Sequence, residues 1–160
     1  MEKEIKELIK KASEKFGVMN LSSGNCGVFA LALGRLLSEK GLDPKINFLF
    51  KFREDENINT IDDLSCSEPD IYHVVLSLND KIYDGTGETS IEKLLELSVK
   101  EYKDFEPMYL KDVGLKEHAL KTVIEFDTNW FISESDFYDF LKKETLNLNK
   151  KDDVKKKSRP

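Results

Sequence analysis

Apolar residues recur along this chain in two rhythms. Ile5, Leu8, Ile9, Ala12 and Phe16 follow the i, i+3, i+4, i+7, i+11 spacing, with Lys and Glu on the other face, so the pattern predicts an amphipathic helix over 3–16, ended by Gly17. Residues 18–25, VMNLSSGN, are rich in turn formers and read as a loop. A second helix is expected from Asn25 or Cys26 to Lys40, stopped by Gly41 with Pro44 shortly beyond. Its apolar set (Phe29, Ala30, Ala32, Leu33, Leu36, Leu37) is wide, which predicts a central helix buried on most sides.

The rhythm then changes to period two. Ile46, Phe48, Phe50 and Phe52 alternate with mostly polar neighbours, predicting a strand over 45–53. An acidic loop over 54–70, ending at Pro69, separates it from a second strand, IYHVVLSL, at 71–78. Asn79-Asp80 is a turn signal, residues 81–84 continue as a third strand, and Gly85 and Gly87 are expected to end it. Thr89 with Glu92 makes a capping box for a helix running to about Tyr102. Short strands are expected at 108–113 and 122–126, and a helix at 133–146 with Phe137, Phe140 and Leu141 on one face. Trp130, Phe131, Phe137 and Tyr138 form an aromatic cluster expected in the core. The last dozen residues, NKKDDVKKKSRP, cannot pack a core and are expected to be a disordered charged tail over 149–160. That leaves a single α+β domain over 1–148, in which a helix opening at Cys26 packs on an antiparallel sheet.

Composition narrows the function classes. The chain has 160 residues, 39% hydrophobic and 35% charged, enough for one core. No apolar run reaches the roughly 18 residues of a membrane span; the longest, 26–37, is broken by Gly34 and Arg35. Asp and Glu number 31 against 25 Lys and Arg, a net charge of −6, which argues against a general nucleic-acid binder. The start, MEKEIKELIKK, lacks a secretory signal, and two cysteines cannot build a disulfide framework, so a cytoplasmic protein without membrane attachment is expected. Delivery as an effector stays open.

Two cysteines and two histidines carry the candidate chemistry. Cys26 opens the apolar helix, where free backbone N–H groups and the positive end of the helix dipole favour a thiolate. Taken alone, Cys26 reads more simply as a small buried hydrophobe. His73 changes that balance because it interrupts an apolar strand. Alternation puts Tyr72, Val74, Leu76 and Leu78 toward the core and His73, Val75 and Ser77 toward the opposite side. A two-residue turn at Asn79-Asp80 pairs Leu78 with Lys81, Ser77 with Ile82 and Val75 with Asp84, so Asp84 shares the face of His73 one diagonal step away. Diagonal neighbours have Cβ atoms about 7–8 Å apart, which suits a carboxylate–imidazole hydrogen bond. Nucleophile, base and orienting acid are thus all present at suitable element ends. By contrast, Cys66 in SCSEP reads as a surface cysteine, His118 as an exposed helical residue, and DGTGET lacks the spacing of a phosphate loop.

The segments GNCGVFALAL and HVVLSLNDKIYDGTG resemble the papain-like and transglutaminase-like cysteine enzymes, in which Cys on a helix, His on a strand and Asp on the next strand follow in that order. The compact spacing is closest to bacteriocin-processing cysteine peptidases and papain-fold toxin domains. The resemblance covers roughly residues 20–87. It implies a papain-like half-barrel, with Cys26 as nucleophile, His73 as general base and Asp84 as orienting acid. Those peptidases carry a Gln six residues before the cysteine as an oxyanion donor. Here that position is Asn20, a shorter amide, and Asn25 is a second candidate. The implied activity is a thiol-dependent acyl transfer that cleaves or exchanges amide or isopeptide bonds of a protein or peptide substrate, with no metal or organic cofactor. Peptidase, deamidase and transglutaminase all fit the same residues. The alternative is a non-catalytic binding or inhibitor module on the same scaffold.

Overall fold

Five strands, β1 (Lys45–Lys51), β2 (Asp70–Leu78), β3 (Lys81–Asp84), β4 (Gly87–Thr89) and β5 (Pro107–Gly114), form one antiparallel sheet in the order β4-β3-β2-β1-β5. The computed structural model describes residues 1–22, 24–51, 57–67, 70–101, 107–127 and 132–157. The ends expected at Phe52–Arg53 and Tyr102, and the aromatic pair Trp130 and Phe131, lie outside the described residues.

The helices are α1 (Glu2–Phe16), α2 (Val18–Ser22), α3 (Cys26–Glu39), α4 (Ile61–Cys66), α5 (Ile91–Glu101), α6 (His118–Asp127) and α7 (Glu134–Lys157). As its composition demands, α3 is the central helix: nine of its residues are buried, and it packs on β2 and against α7. Ile5, Leu8, Ile9 and Ala12 of α1 join the same core. Phe16 and Phe29 meet Phe137 edge-on, with ring centroids 4.8 and 5.6 Å apart, locking α1, α3 and α7 together. The opposite face of the sheet carries a smaller cluster, Leu49, Val75 and Leu94, with Tyr72, Ile82 and Tyr109 beside it. The chain is therefore α+β, with helices packed on an antiparallel five-stranded sheet.

The β2–β3 hairpin has the expected register: Leu78 opposes Lys81, Ser77 opposes Ile82 and Leu76 opposes Tyr83. Asn79 and Asp80 take φ of 50° and 62°, the left-handed pair that a tight two-residue hairpin turn requires. The β1–β2 pairing is less regular. Leu49 opposes His73 but Phe50 opposes Ile71, so one extra residue, Tyr72, is accommodated in β2. Strict alternation is thereby corrected: Ile71 joins Val74, Leu76 and Leu78 in the main core, and Tyr72 packs with the smaller cluster instead. A second irregularity, between Ile46 and Phe48 against β5, surrounds the buried Asn47. Its Oδ1 accepts from the Tyr109 hydroxyl at 3.1 Å and the Asp112 amide at 2.9 Å.

Several other expectations are corrected. The loop over 18–25 contains α2, whose Leu21 is buried in the core. The acidic loop contains α4, capped by Thr60 and Asp63 in a reciprocal box. Gly87 does not end the strands: with φ of +122° it opens β4, pairing with Asp84 across a two-residue turn. The cap of α5 is Ser90, whose Oγ accepts from the Lys93 amide at 3.2 Å, rather than Thr89. Residues 122–126 are helical. Their β-branched side chains suggest a strand, yet Ala119, Leu120, Val123 and Ile124 are the buried set and follow a helical period. Finally, α7 continues through Lys157, where a disordered tail from 149 is expected.

Candidate active site

Cys26 is the first residue of α3 and is half-buried against the main core. The start of α3 must lie close to the sheet because Gly27 faces it. A Cβ there would stand 3.0 Å from Ile124 Cγ2 and 3.4 Å from Val74 Cγ2, so a larger residue would push the helix start away from β2. His73 lies beside Val74 at the irregular stretch of β2 and is buried, with 5% of its surface exposed. Asp84 ends β3 and is also buried.

The imidazole joins these elements. His73 Nε2 and Asp84 Oδ2 are 3.2 Å apart, both side chains being almost fully enclosed. The Cys26 sulfur is the second side chain that acts on the ring, and like Asp84 it favours the protonated imidazole. Burial disfavours a charged His73, but the carboxylate of Asp84 and the sulfur of Cys26 outweigh it and raise its pKa from 6.5 to about 10. For Asp84, burial works to raise the pKa, while His73 and two donors from Thr86 hold the carboxyl below its ordinary range.

Asp84 is anchored on its other side as well. Its Oδ1 accepts from the Thr86 amide at 2.7 Å and from the Thr86 hydroxyl at 2.6 Å. The turn carrying these groups is pressed onto α2. A Cβ on Gly85 would fall 2.3 Å from Leu21 Cβ and 2.8 Å from the Leu21 carbonyl carbon, so only glycine fits. Ser13 Oγ donates to the Gly85 carbonyl at 2.7 Å, tying the same turn to α1.

Cys26, His73 and Asp84 are thus brought together from α3, β2 and β3. The two amides expected to serve an oxyanion separate. Asn20 is exposed, and its Nδ2 donates to the Phe16 carbonyl at 2.7 Å, sealing the end of α1. Asn25 is buried immediately before the sulfur, and its Oδ1 has no hydrogen-bond partner among the described residues. Cys66 is exposed at the end of α4, and His118 is exposed at the start of α6. Sequence reasoning missed Thr86 and Ser13. The Asp-x-Thr spacing of 84–86 was a local signal for the first, since such turns place a donor two residues on. No local signal pointed to Ser13, 72 positions from its partner.

Among the described residues, no three His, Cys, Asp or Glu side chains cluster so as to hold a metal ion. Nor is any described helix long and apolar enough to cross a membrane. No protein-family model matches the chain, and no curated protein or solved structure does.

Proposed function

We propose that this protein is a thiol-dependent acyl-transfer enzyme acting on amide or isopeptide bonds, built as a papain-like half-barrel. The observation that carries the reading is the buried imidazole of His73, held by Asp84 at 3.2 Å on one nitrogen and acted on by the Cys26 thiol. A structural histidine needs one partner; this one has a carboxylate and a thiol at a helix start.

Cys26 Sγ passes its proton to His73 and attacks the carbonyl carbon of the scissile amide. The negative charge moves to the carbonyl oxygen, where the free N–H groups at the start of α3 stabilise it, with the Asn25 amide beside them. His73 then gives its proton to the departing amine, the C–N bond breaks, and a thioester remains on Cys26. Water or an acceptor amine, deprotonated by His73, releases the acyl group and the thiol. The electrostatics suit this cycle. The sulfur is one of the causes that raise the pKa of His73, and it ceases to be an anion once bonded to carbon. The imidazolium therefore becomes a stronger acid when the leaving amine needs its proton.

Acylation with p-nitrophenyl acetate, read by intact-mass and peptide mapping, tests the reading. A hydroxylamine-sensitive acetyl group should form on Cys26 in the wild type and be absent in Cys26→Ala and His73→Asn. Acetylation of Cys66 at the rate of Cys26, or equal acetylation of Cys26 without His73, would overturn the reading in favour of a binding module.

A further inference from the structure

The two oxygens of Asp84 have separate partners. Oδ2 faces His73 Nε2, whereas Oδ1 accepts twice from Thr86, through the amide at 2.7 Å and the hydroxyl at 2.6 Å. A carboxylate oxygen has about two lone-pair sites, so Oδ1 is saturated and only Oδ2 has capacity for the ring. The amide contact would survive any ordinary residue at 86, but the hydroxyl contact depends on the side chain. Thr86 is exposed, and Asp84 is the acceptor of its hydroxyl. The mount beneath it is rigid, with Gly85 pressed onto Leu21 and its carbonyl held by Ser13.

We propose that Thr86 is a positioning residue of the thiol site, its hydroxyl fixing the carboxylate plane of Asp84 so that Oδ2 is the oxygen presented to His73. The proposal rests on the thiol-site reading for its functional consequence. A charge-assisted hydrogen bond of this length is directional. Without it the carboxylate is held on that side by the Thr86 amide alone, so it turns more readily about Cβ–Cγ and the alignment of the imidazole loosens. Asp84 and Cys26 both act on the ring, so a change in alignment registers in its titration.

Thr86→Val removes the hydroxyl at nearly constant shape, and Thr86→Ser keeps the hydroxyl while removing the methyl. NMR titration of the His73 ring and iodoacetamide alkylation of Cys26 at pH 7 give two readouts that a merely structural role would not move. In Thr86→Val the His73 titration should shift by about half to one unit toward its ordinary value, and alkylation should slow by about 3- to 10-fold. Thr86→Ser should restore both. If the valine variant fails to fold, Thr86→Ala carries the same comparison. A hydroxyl-free variant that titrates and reacts like the wild type overturns the proposal, as does a serine variant that fails to rescue. A His73→Asn variant in which Cys26 alkylates at the wild-type rate overturns the thiol-site reading itself. The titration of His73 in Thr86→Val would still decide the positioning role.

Discussion

Cys26 and Cys66 are the same functional group placed in opposite settings. Cys26 opens the long, buried α3, half-shielded, with an imidazole in reach and a carboxylate behind the imidazole. Cys66 closes the six-residue α4, exposed, with the Ser65 hydroxyl 3.9 Å from its sulfur. A helix start offers unpaired N–H groups to an anion, and a helix end offers carbonyls, which repel one. The contrast teaches that a reactive cysteine is defined by the element end it occupies and by what the rest of the fold brings to it.

The largest expected effect comes from removing the sulfur. Cys26→Ala should abolish acylation while the fold persists, because alanine fills the small site at a helix start at little cost. Residual labelling in that variant should map to Cys66 alone. Next is His73→Asn, which removes the proton acceptor and should lower turnover by about 10²- to 10⁴-fold, bringing the two cysteines toward equal reactivity in competitive iodoacetamide labelling. Asp84→Asn should act in the same direction but less severely, since the acid orients the base and does not itself react.

Gly85→Ala attacks the same contrast through packing. Its Cβ must displace Leu21, so a stability loss of about 1–3 kcal/mol is expected in denaturant melts. Cys26 should lose reactivity as the Asp84 turn shifts, with Cys66 unaffected.

The pH dependence of melting sharpens the contrast further. His73 has a folded pKa raised to about 10, so its contribution to stability is complete below its unfolded value of about 6.5 and is lost as pH rises through about 10. Asp84 has a lowered folded pKa, so its contribution is complete above about 3.9 and is lost as pH falls through the folded value. The melting temperature should therefore be highest between these limits, and Asp84→Asn should flatten both flanks. Cys66→Ala sets the lower end of the scale, with stability within about 0.5 kcal/mol of the wild type and acylation unchanged.

The same contrast of settings shows what was legible along the chain. The start of α3 could be read because an apolar helical period begins abruptly after a Gly-Asn pair. The meeting of His73 with Asp84 could be read because side chains alternate from His73 to the hairpin turn and Asn79-Asp80 dictates a two-residue turn, which together set the parity of the hairpin. Period and turn chemistry are local, so one sequence carries them without help. The extra residue at Tyr72 was not legible, because a bulge is a property of two strands, and β1 lies more than twenty residues away. Nor was α6, where local β-propensity pointed to a strand and burial of Ala119, Leu120, Val123 and Ile124 decided for a helix. The approach of the sulfur to the ring, the pressing of Gly85 onto Leu21 and the tie from Ser13 belong to the same class. The sequence by itself determined which residues have the chemistry and which face of the hairpin they share. Only tertiary packing decided that the start of α3 comes up to His73, because contacts between distant segments leave no periodic trace in either one.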